Sequence, residues 1–171
     1  NVMAFDKTGT LTNGDLVVCD IYPVDGCSES ELLDVAAAVE VFSEHPIAKA
    51  ICARNEDSLA KSSSAENFRM TPGGGVEAIV NGNVVRCGNE KFVLEGGEPA
   101  LPQAVVEKLD SFRAQGKATL VIASSNRILG VIALSDTVRS EAAESIVALS
   151  KMGIRSVLLT GDNHKAAQFV A

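Results

Sequence analysis

The chain of 171 residues has no tryptophan and one tyrosine, and positive charge is nowhere concentrated along it. Its formal net charge is −7. An acidic chain without a basic cluster repels phosphate backbones and anionic headgroups, which argues against nucleic acid or a membrane surface as its main partner. The longest apolar runs, ATLVIA and ILGVIAL, are the size of strands. They fall well short of the roughly 18 residues that a membrane-spanning helix needs.

Cysteine is also scarce, and its occurrences are scattered without C-x-x-C spacing. This pattern favours buried or free thiols in a reducing compartment over a disulfide framework or a metal site. The residues concerned are Cys19, Cys27, Cys52 and Cys87. The sequence begins with Asn1 rather than Met, and no signal peptide follows, so we expect a piece of a longer protein.

Apolar residues are plentiful, at 46% against 22% charged, so the chain can bury a core in one large or two small domains. Ser28 and Glu31 form a capping box for a helix in SESELLDVAAAVEVF. Further helices are predicted in IAKAICARN, PQAVVEKLDSFRAQG and VRSEAAESIVALSKMG. Hairpins are predicted in GGGVEAIVNGNVVRCGN, turning at Asn81-Gly82, and in ATLVIASSNRILGVIAL. The serine-rich DSLAKSSSAENFRM indicates a loop or a weak helix, and LVVCDIYPV an edge strand or connector.

Two apolar runs, NVMAF and IRSVLLTGD, are typical of buried parallel strands that end in polar residues. Ligands bind at the carboxyl ends of strands in an open parallel sheet. If both strands belong to one sheet, the fold is an α/β domain split by an inserted α+β domain. We place the outer domain at residues 1–14 and 135–171 and the inserted domain at 15–134. Hinges are then expected near Asn13–Asp15 and Leu134–Thr137.

Asp6, at the end of the first strand, has two interpretations. It is a turn residue or helix cap, for which Asp beside Thr and Gly is common. Alternatively, it is a nucleophile that takes the terminal phosphoryl group of ATP and becomes an aspartyl-phosphate. That chemistry needs backbone N–H groups and a cation, which the Gly9 turn and Mg²⁺ would supply, with Thr8 and Thr10 as hydroxyl donors. Lys7 has a suitable charge.

DKTGTLT, which contains this aspartate, is identical to the phosphorylation motif of the P-type ATPases, ion pumps with a haloacid-dehalogenase-like core. TGDN at residues 160–163 resembles the family's second phosphorylation-domain motif, and SDTVR at residues 135–139 resembles its Asp-x-x-Arg segment. The resemblance implies a truncated Rossmannoid phosphorylation domain split by a nucleotide-binding domain with an antiparallel sheet and flanking helices, with ATP and Mg²⁺ as cofactors. It implies these catalytic residues: Asp6, Lys7, Thr8, Thr160, Gly161 and Asp162. Asp6 and the backbone carbonyl of Thr8 would hold Mg²⁺.

Thr8 also bears on the fate of the phosphorylated state. Soluble phosphatases of this superfamily usually have a second aspartate two residues after the nucleophile, where it acts as general acid and then activates water. A threonine cannot do this near pH 7. We therefore expect an aspartyl-phosphate that hydrolyses slowly without help from another domain.

EVFSEHPIAKAI resembles the Ser-Glu-His-Pro motif of the heavy-metal-transporting branch of these pumps, and PGGGV and CGN resemble its later glycine motifs. The lack of tryptophan and the single tyrosine fit the small nucleotide domain of that branch. The resemblance implies these nucleotide-binding residues: Glu40, His45, Gly73, Gly75, Val76, Gly88 and Asn89.

The resemblance further implies the cytoplasmic part of an integral membrane protein that transports Cu⁺ or Zn²⁺, Cd²⁺ and Co²⁺. Its transmembrane and actuator domains would be partners of this chain. The family's downstream Gly-Asp-Gly-x-Asn-Asp motif is absent, so we expect the chain to bind ATP without efficient turnover. Two alternatives remain open: a soluble haloacid-dehalogenase-like phosphatase with a cap domain, and a non-catalytic nucleotide-binding or regulatory module.

Overall fold

A computed structural model describes residues 1–24, 26–55, 65–95, 97, 100–125 and 127–159. In chain order its elements are β1 (Val2–Asp6), a wide helical turn (Lys7–Leu11), β2 (Thr12–Pro23), α1 (Glu29–Glu40), α2 (Pro46–Arg54), β3 (Ala65–Thr71), β4 (Gly75–Val80), β5 (Asn83–Gly88), α3 (Glu90–Glu95), α4 (Gln103–Ala114), β6 (Ala118–Ser124), β7 (Arg127–Val138), α5 (Ser140–Lys151) and β8 (Arg155–Leu159). None of the helices described is both long enough and apolar enough to cross a bilayer.

The first and last strands form a small parallel sheet. β1 pairs with β8 in a register that places Asp6 opposite Leu159. The predicted parallel pairing is thus confirmed, but the prediction that both strands are buried is wrong for the residues described. Val2 is 60% exposed and Leu159 is 56% exposed. The physical reason is that a sheet of two strands has two open edges, and α5, which follows it, contributes no buried side chain.

The remaining strands form a six-stranded antiparallel sheet in the order β2-β7-β6-β5-β4-β3. Both hairpins predicted from the sequence are present within it, and β2 is an edge strand as expected. The apolar faces of α1 and α2 pack on one side of this sheet, and those of α3 and α4 pack on the other. The α/β fold with an interposed antiparallel sheet and flanking helices is therefore confirmed.

Two elements differ from the sequence-based expectation. Within the segment predicted as a loop or weak helix, Ala65–Thr71 forms the edge strand β3, while residues 56–64 lie outside the part of the chain that is described. The short helix α3 was not predicted. It begins where Asn89 Oδ1 accepts a hydrogen bond from Phe92 N at 2.9 Å. Ladder hydrogen bonds and one cap, rather than intrinsic propensity, account for both elements.

The two sheets are joined by a ribbon made of β2 and β7. These antiparallel strands run through the positions at which the sequence predicted domain boundaries, so both boundaries fall inside continuous strands. The ladder is interrupted between Thr12 and Leu16, where Gly14 has a φ of +87° that a side chain would disfavour. The predicted hinge at Asn13–Asp15 coincides with this irregularity; the domain boundaries themselves stay a prediction.

Candidate functional site

The side chain of Asp6 makes no stabilising contact through a hydrogen bond or ion pair with the residues described. It occupies the position that precedes the Lys7–Leu11 turn, with φ −72° and ψ 146°, yet its side chain makes no capping hydrogen bond. The carboxyl is exposed, and no hydrogen bond or ion pair joins it to the described part of the chain. The interpretation of Asp6 as a helix cap is therefore wrong. Its carboxylate is available to an incoming group.

The turn after Asp6 is held by Thr12, the first residue of β2. Thr12 is 1% exposed, and its Oγ1 accepts a hydrogen bond from Gly9 N at 3.2 Å. The same hydroxyl donates to Asp136 Oδ2. The second oxygen of Asp136 accepts from Gly14 N at 3.0 Å. A carboxylate on β7 thus holds the backbone of β2 at the start of the ladder irregularity and within it.

Arg139, which follows β7, braces the same turn from outside. Its guanidinium donates to Gly9 O at 3.2 Å and to Thr12 O at 3.1 Å, and its backbone N–H donates to Leu11 O at 2.9 Å. Arg139 belongs to a segment that resembles a family motif, but nothing in the sequence indicated its hydrogen-bond partners. No local pattern indicates contacts across more than 120 residues, and only the fold brings these groups together.

Only some of the residues predicted at the phosphoryl-acceptor site lie in the described part of the chain. Thr160, Gly161 and Asp162 lie outside the described residues. Lys7 and Thr8 belong to the wide turn that follows β1. Gly9, in the same turn, has a φ of +77°, which glycine adopts without strain.

A cavity of about 520 Å³ opens between the two helices α1 and α2 and the strands of the large sheet. Six of the seven residues predicted to bind nucleotide line it: Glu40, His45, Gly73, Gly75, Val76 and Asn89. Gly88 is not among the lining residues. The sequence missed the other walls, which include Ser43, Ile47, Met70, Thr71, Thr119 and Leu120. Ser43 belongs to the Ser-Glu-His-Pro motif and Ile47 follows that motif on α2. The strand residues Met70, Thr71, Thr119 and Leu120 belong to no motif and reach the cavity through strand pairing.

Glu40, the last residue of α1, contributes a buried carboxyl to this cavity. It is 4% exposed, and its side chain has no hydrogen bond or ion pair with the described residues. Burial in apolar surroundings raises the pKa of this carboxyl to about 7, because desolvation disfavours the charged form. The group is therefore poised between its neutral and its ionised form near neutral pH.

His45 lines the cavity while it also begins α2. The ring nitrogen Nδ1 of His45 accepts a hydrogen bond from Ile47 N at 3.2 Å, and the backbone N–H of His45 donates to Ser43 Oγ at 3.2 Å. Since Nδ1 acts as acceptor, the neutral imidazole carries its hydrogen on Nε2, which remains as the donor for a ligand. A polar residue directly before Pro46 is a helix-start signal, so this capping role was readable from the sequence.

The glycines of the cavity loop are required for different reasons. Gly73 has a φ of +70° with open space around it, so its requirement is conformational. A Cβ on Gly75 would overlap the carbonyl oxygen of Cys87, and one on Gly88 would overlap that of Gly74. The close approach that these two glycines permit is therefore between β4 and β5.

Asn89 connects this loop to α3. Its Nδ2 donates to Gly73 O at 2.8 Å, and its backbone N–H donates to Gly74 O at 2.9 Å. Its Oδ1 is occupied by the cap of α3. Asn89 therefore fixes the conformation of the glycine loop, and direct contact with a nucleotide stays a prediction.

Metal ligands are sparse in this structure. The described residues contain no group of three or more His, Cys, Asp or Glu side chains that could hold a metal ion. The four cysteines are free, as predicted. Among the described residues, the carboxylate oxygens of Asp6 have no hydrogen-bond or ion-pair partner, and oxygen is the donor that Mg²⁺ prefers, so the donor chemistry at this strand end fits that ion.

Comparison with known proteins matches the whole chain, residues 1–171, to the family model described as haloacid dehalogenase-like hydrolase. The zinc/cadmium/lead-transporting P-type ATPase of Escherichia coli strain K12 is 41% identical over 170 residues, which cover 99% of this chain and 22% of that protein. The copper-exporting P-type ATPase B of Archaeoglobus fulgidus is 41% identical over 167 residues, which cover 98% of this chain and 23% of that protein.

A solved structure agrees with these relatives. The crystal structure of a zinc-transporting PIB-type ATPase in the E2.Pi state superposes with a TM-score of 0.86 at 40% identity, over 99% of this chain and 27% of the other. The chain therefore spans about a fifth of the length of the relatives named above, whose matched portions cover 22% and 23%.

Proposed function

Since this chain belongs to the haloacid dehalogenase-like hydrolases and is homologous throughout to heavy-metal-transporting P-type ATPases, we propose that it is the ATP-binding and phosphorylation region of such a pump. The proposal covers Cu⁺ and the divalent group of Zn²⁺, Cd²⁺ and Co²⁺ alike. One relative named for copper and one named for zinc, cadmium and lead are each 41% identical to this chain.

The observation that supports this function most directly is the unengaged carboxyl of Asp6 at the carboxyl end of β1. A residue used only for structure would cap the turn that it precedes. Hydrogen bonds from Thr12 and Arg139 hold the turn instead, so the backbone beside Asp6 is fixed while its side chain is not. This is the arrangement that a nucleophile needs.

In the proposed reaction, the cavity around Glu40 and His45 holds the purine and the glycine loop borders the nucleotide. Movement at the β2/β7 ribbon brings the γ-phosphate to Asp6. A carboxylate oxygen of Asp6 forms a bond to the γ-phosphorus, the bond from phosphorus to the β,γ-bridging oxygen breaks, and ADP leaves. The product is an acyl phosphate on Asp6.

Asp6 and the backbone carbonyl of Thr8 would hold Mg²⁺, with Asp162 at the border of the site. When bound, this ion neutralises negative charge on the phosphoryl oxygens. The threonine at position 8 has no acid or base function near pH 7, so the chain itself has no aspartate there to activate water. The acyl phosphate consequently persists until another domain promotes its hydrolysis.

We place the chain on the cytoplasmic side of a membrane, where transmembrane and actuator domains of the full-length protein would be its partners. The transported ion would bind to the transmembrane segment. These assignments rest on the homology, since the chain covers about a fifth of each relative.

Acid-quenched phosphoenzyme formation from γ-labelled ATP tests the proposal in the full-length protein. Asp6→Asn replaces the nucleophile with an amide, so we expect no phosphoenzyme, while affinity for a non-hydrolysable ATP analogue changes less than about twofold. His45→Gln places an amide near the position of Nε2 but lacks the imidazole ring. It should weaken analogue binding about tenfold, a loss of about 1.4 kcal/mol.

The opposite pattern, with Asp6→Asn losing affinity and His45→Gln losing only phosphorylation, would show that the two sites are interchanged. A labile phosphoenzyme with rapid phosphatase turnover in the absence of other domains would favour the soluble phosphatase. Unchanged amide NMR signals around His45 and Gly73 at millimolar ATP would rule out the nucleotide site.

A further inference from the structure

Glu40 is a buried acid without a counter-ion. Its carboxyl lies at the end of α1 with 4% of the residue exposed, in a cavity whose other walls include Ile47, Val76 and Leu120. No lysine or arginine is among the described residues that line this cavity. An ionised carboxylate here would have no cation among these lining residues to offset its charge, and only the water that enters the cavity to solvate it.

The ionisable groups facing Glu40 from neighbouring elements do not compensate for this. Burial raises the pKa of the Cys52 thiol on α2 and of the Cys87 thiol on β5, and a negative charge on Glu40 raises the pKa of both further. His45 at the start of α2 lines the same cavity. On β4 and β5, the ion pair between Arg86 and Glu77 is on the opposite face of the sheet from the core residues that alternate with it.

The protonation state of a carboxyl decides which purine edge it can bind. A neutral carboxylic acid has one O–H donor and one carbonyl acceptor, which match a ring-nitrogen acceptor and the neighbouring N6 amino group of adenine. An ionised carboxylate is only an acceptor. It would face the lone pair of the adenine ring nitrogen, whereas the adjacent N1–H and N2–H donors of guanine suit it.

We propose that Glu40 binds the adenine of ATP as a neutral carboxylic acid, so that nucleotide binding takes up a proton and the preference for adenine over guanine declines as pH rises. This rests on the proposed function, because it assigns a chemical state to a residue of the same nucleotide cavity. It goes beyond that function in making the affinity for ATP dependent on pH through one identified group.

A quantitative expectation follows from linkage. If ATP binds only the neutral form and the free carboxyl titrates near pH 7, affinity falls about tenfold between pH 6 and pH 8. Binding at pH 8 then takes up close to one proton. The affinity for GTP should fall less over this range, so the ratio of the two affinities narrows.

The experiment is isothermal titration of the intact protein with a non-hydrolysable methylene analogue of ATP and with the corresponding GTP analogue. Titrations from pH 6 to pH 8.5, in buffers of different ionisation enthalpy, give both the affinity and the number of protons taken up. Glu40→Gln carries a permanent donor and acceptor. It should bind the ATP analogue at pH 8 as tightly as wild type does at pH 6, and it should remove the proton uptake attributable to Glu40.

Asp34→Asn is the matched control, since it removes an exposed carboxyl from the same helix and should retain the wild-type profile. Comparison with Glu40→Gln also subtracts the titration of the phosphates and of His45. An identical pH profile and proton count in wild type and Glu40→Gln would overturn the inference while leaving ATP binding established. A Glu40→Gln variant that binds more weakly than wild type at every pH would overturn it too. Absence of analogue binding to all three proteins would instead reject the proposed function.

Discussion

Two regions of the molecule each contain a functional candidate whose carboxyl group has no hydrogen bond or ion pair with the described residues, and the two carboxyl groups lie in opposite surroundings. Glu40 is 4% exposed in an apolar cavity beneath two helices, whereas Asp6 is exposed at the end of a two-stranded sheet. A buried acid can be kept neutral and used for recognition. An accessible one can approach phosphorus and react. Burial thus distinguishes the carboxyl group proposed for nucleotide recognition from the carboxyl group proposed for reaction.

Packing follows the same division. All the buried apolar side chains of the described residues lie between Leu32 and Leu134, and all but Ala48 belong to two clusters on the two faces of the large sheet. α5 contributes none. The part of the chain that carries the cavity therefore has its own core, while the strand pair that carries Asp6 derives little stability from burial in the residues described.

The largest expected difference between the two regions is in how much one truncated side chain lowers stability. Leu32 is fully buried in α1, so Leu32→Ala should lower the free energy of unfolding by about 2–5 kcal/mol through lost burial and a cavity. Leu159→Ala makes the same change at a residue that is 56% exposed and should lower it by less than about 1 kcal/mol. Equilibrium urea denaturation measures both. Equal losses of unfolding free energy in the two variants would show that the two regions do not differ in packing.

The second effect concerns pH. Glu40 has a pKa raised from 4.5 to about 7, so its neutral form favours the folded state. This contribution is complete below pH 4.5 and is lost as pH rises through 7, by about 3 kcal/mol in all. Denaturation midpoints measured from pH 5 to pH 8.5 should fall more steeply in wild type than in Glu40→Gln, which has no titrating group at this position. Parallel pH profiles would show that Glu40 is not desolvated.

The smallest effect concerns the acceptor turn. Arg139→Lys keeps the positive charge but cannot reach Gly9 O and Thr12 O together, so it should loosen the turn by about 1 kcal/mol. We expect the phosphorylation rate to fall about fivefold with unchanged affinity for the ATP analogue. Single-turnover phosphorylation and equilibrium binding separate the two quantities. A loss of affinity instead would mean that the two regions are more tightly coupled than their packing indicates.

Local sequence signals predicted much of this structure because their physics is local. Ser28 accepts a hydrogen bond from Glu31 N at 3.1 Å, as the capping box implies. Asn81 and Gly82 both have positive φ, as the turn of the β4/β5 hairpin requires. The same holds for Asp6, which follows an apolar run and indeed ends a strand.

The unpredicted features depend on residues distant in sequence. Thr12 and Asp136 are 124 residues apart, and nothing near either one indicates the other. The strand β3 is mostly polar, and six of its seven residues, all but Thr71, lie in a segment whose serines suggested a loop. It becomes a strand because the exposed edge of β4 pairs with it. Cavity walls such as Thr119 are likewise determined by pairing and not by motif.

The pairing of Leu16 with Asp136 has a consequence for how such a molecule can change. The chain enters the inserted segment through β2 and leaves it through β7, and these two strands are paired. The residues between β2 and β7 therefore form one insertion whose two ends are held together. The entropy of closing such an insertion grows only slowly, by about 0.6 kcal/mol for each doubling of its length. Segments between β2 and β7 can therefore be lengthened, shortened or exchanged over generations with little penalty at Asp6. The reacting group stays constant while the recognition unit remains free to diversify.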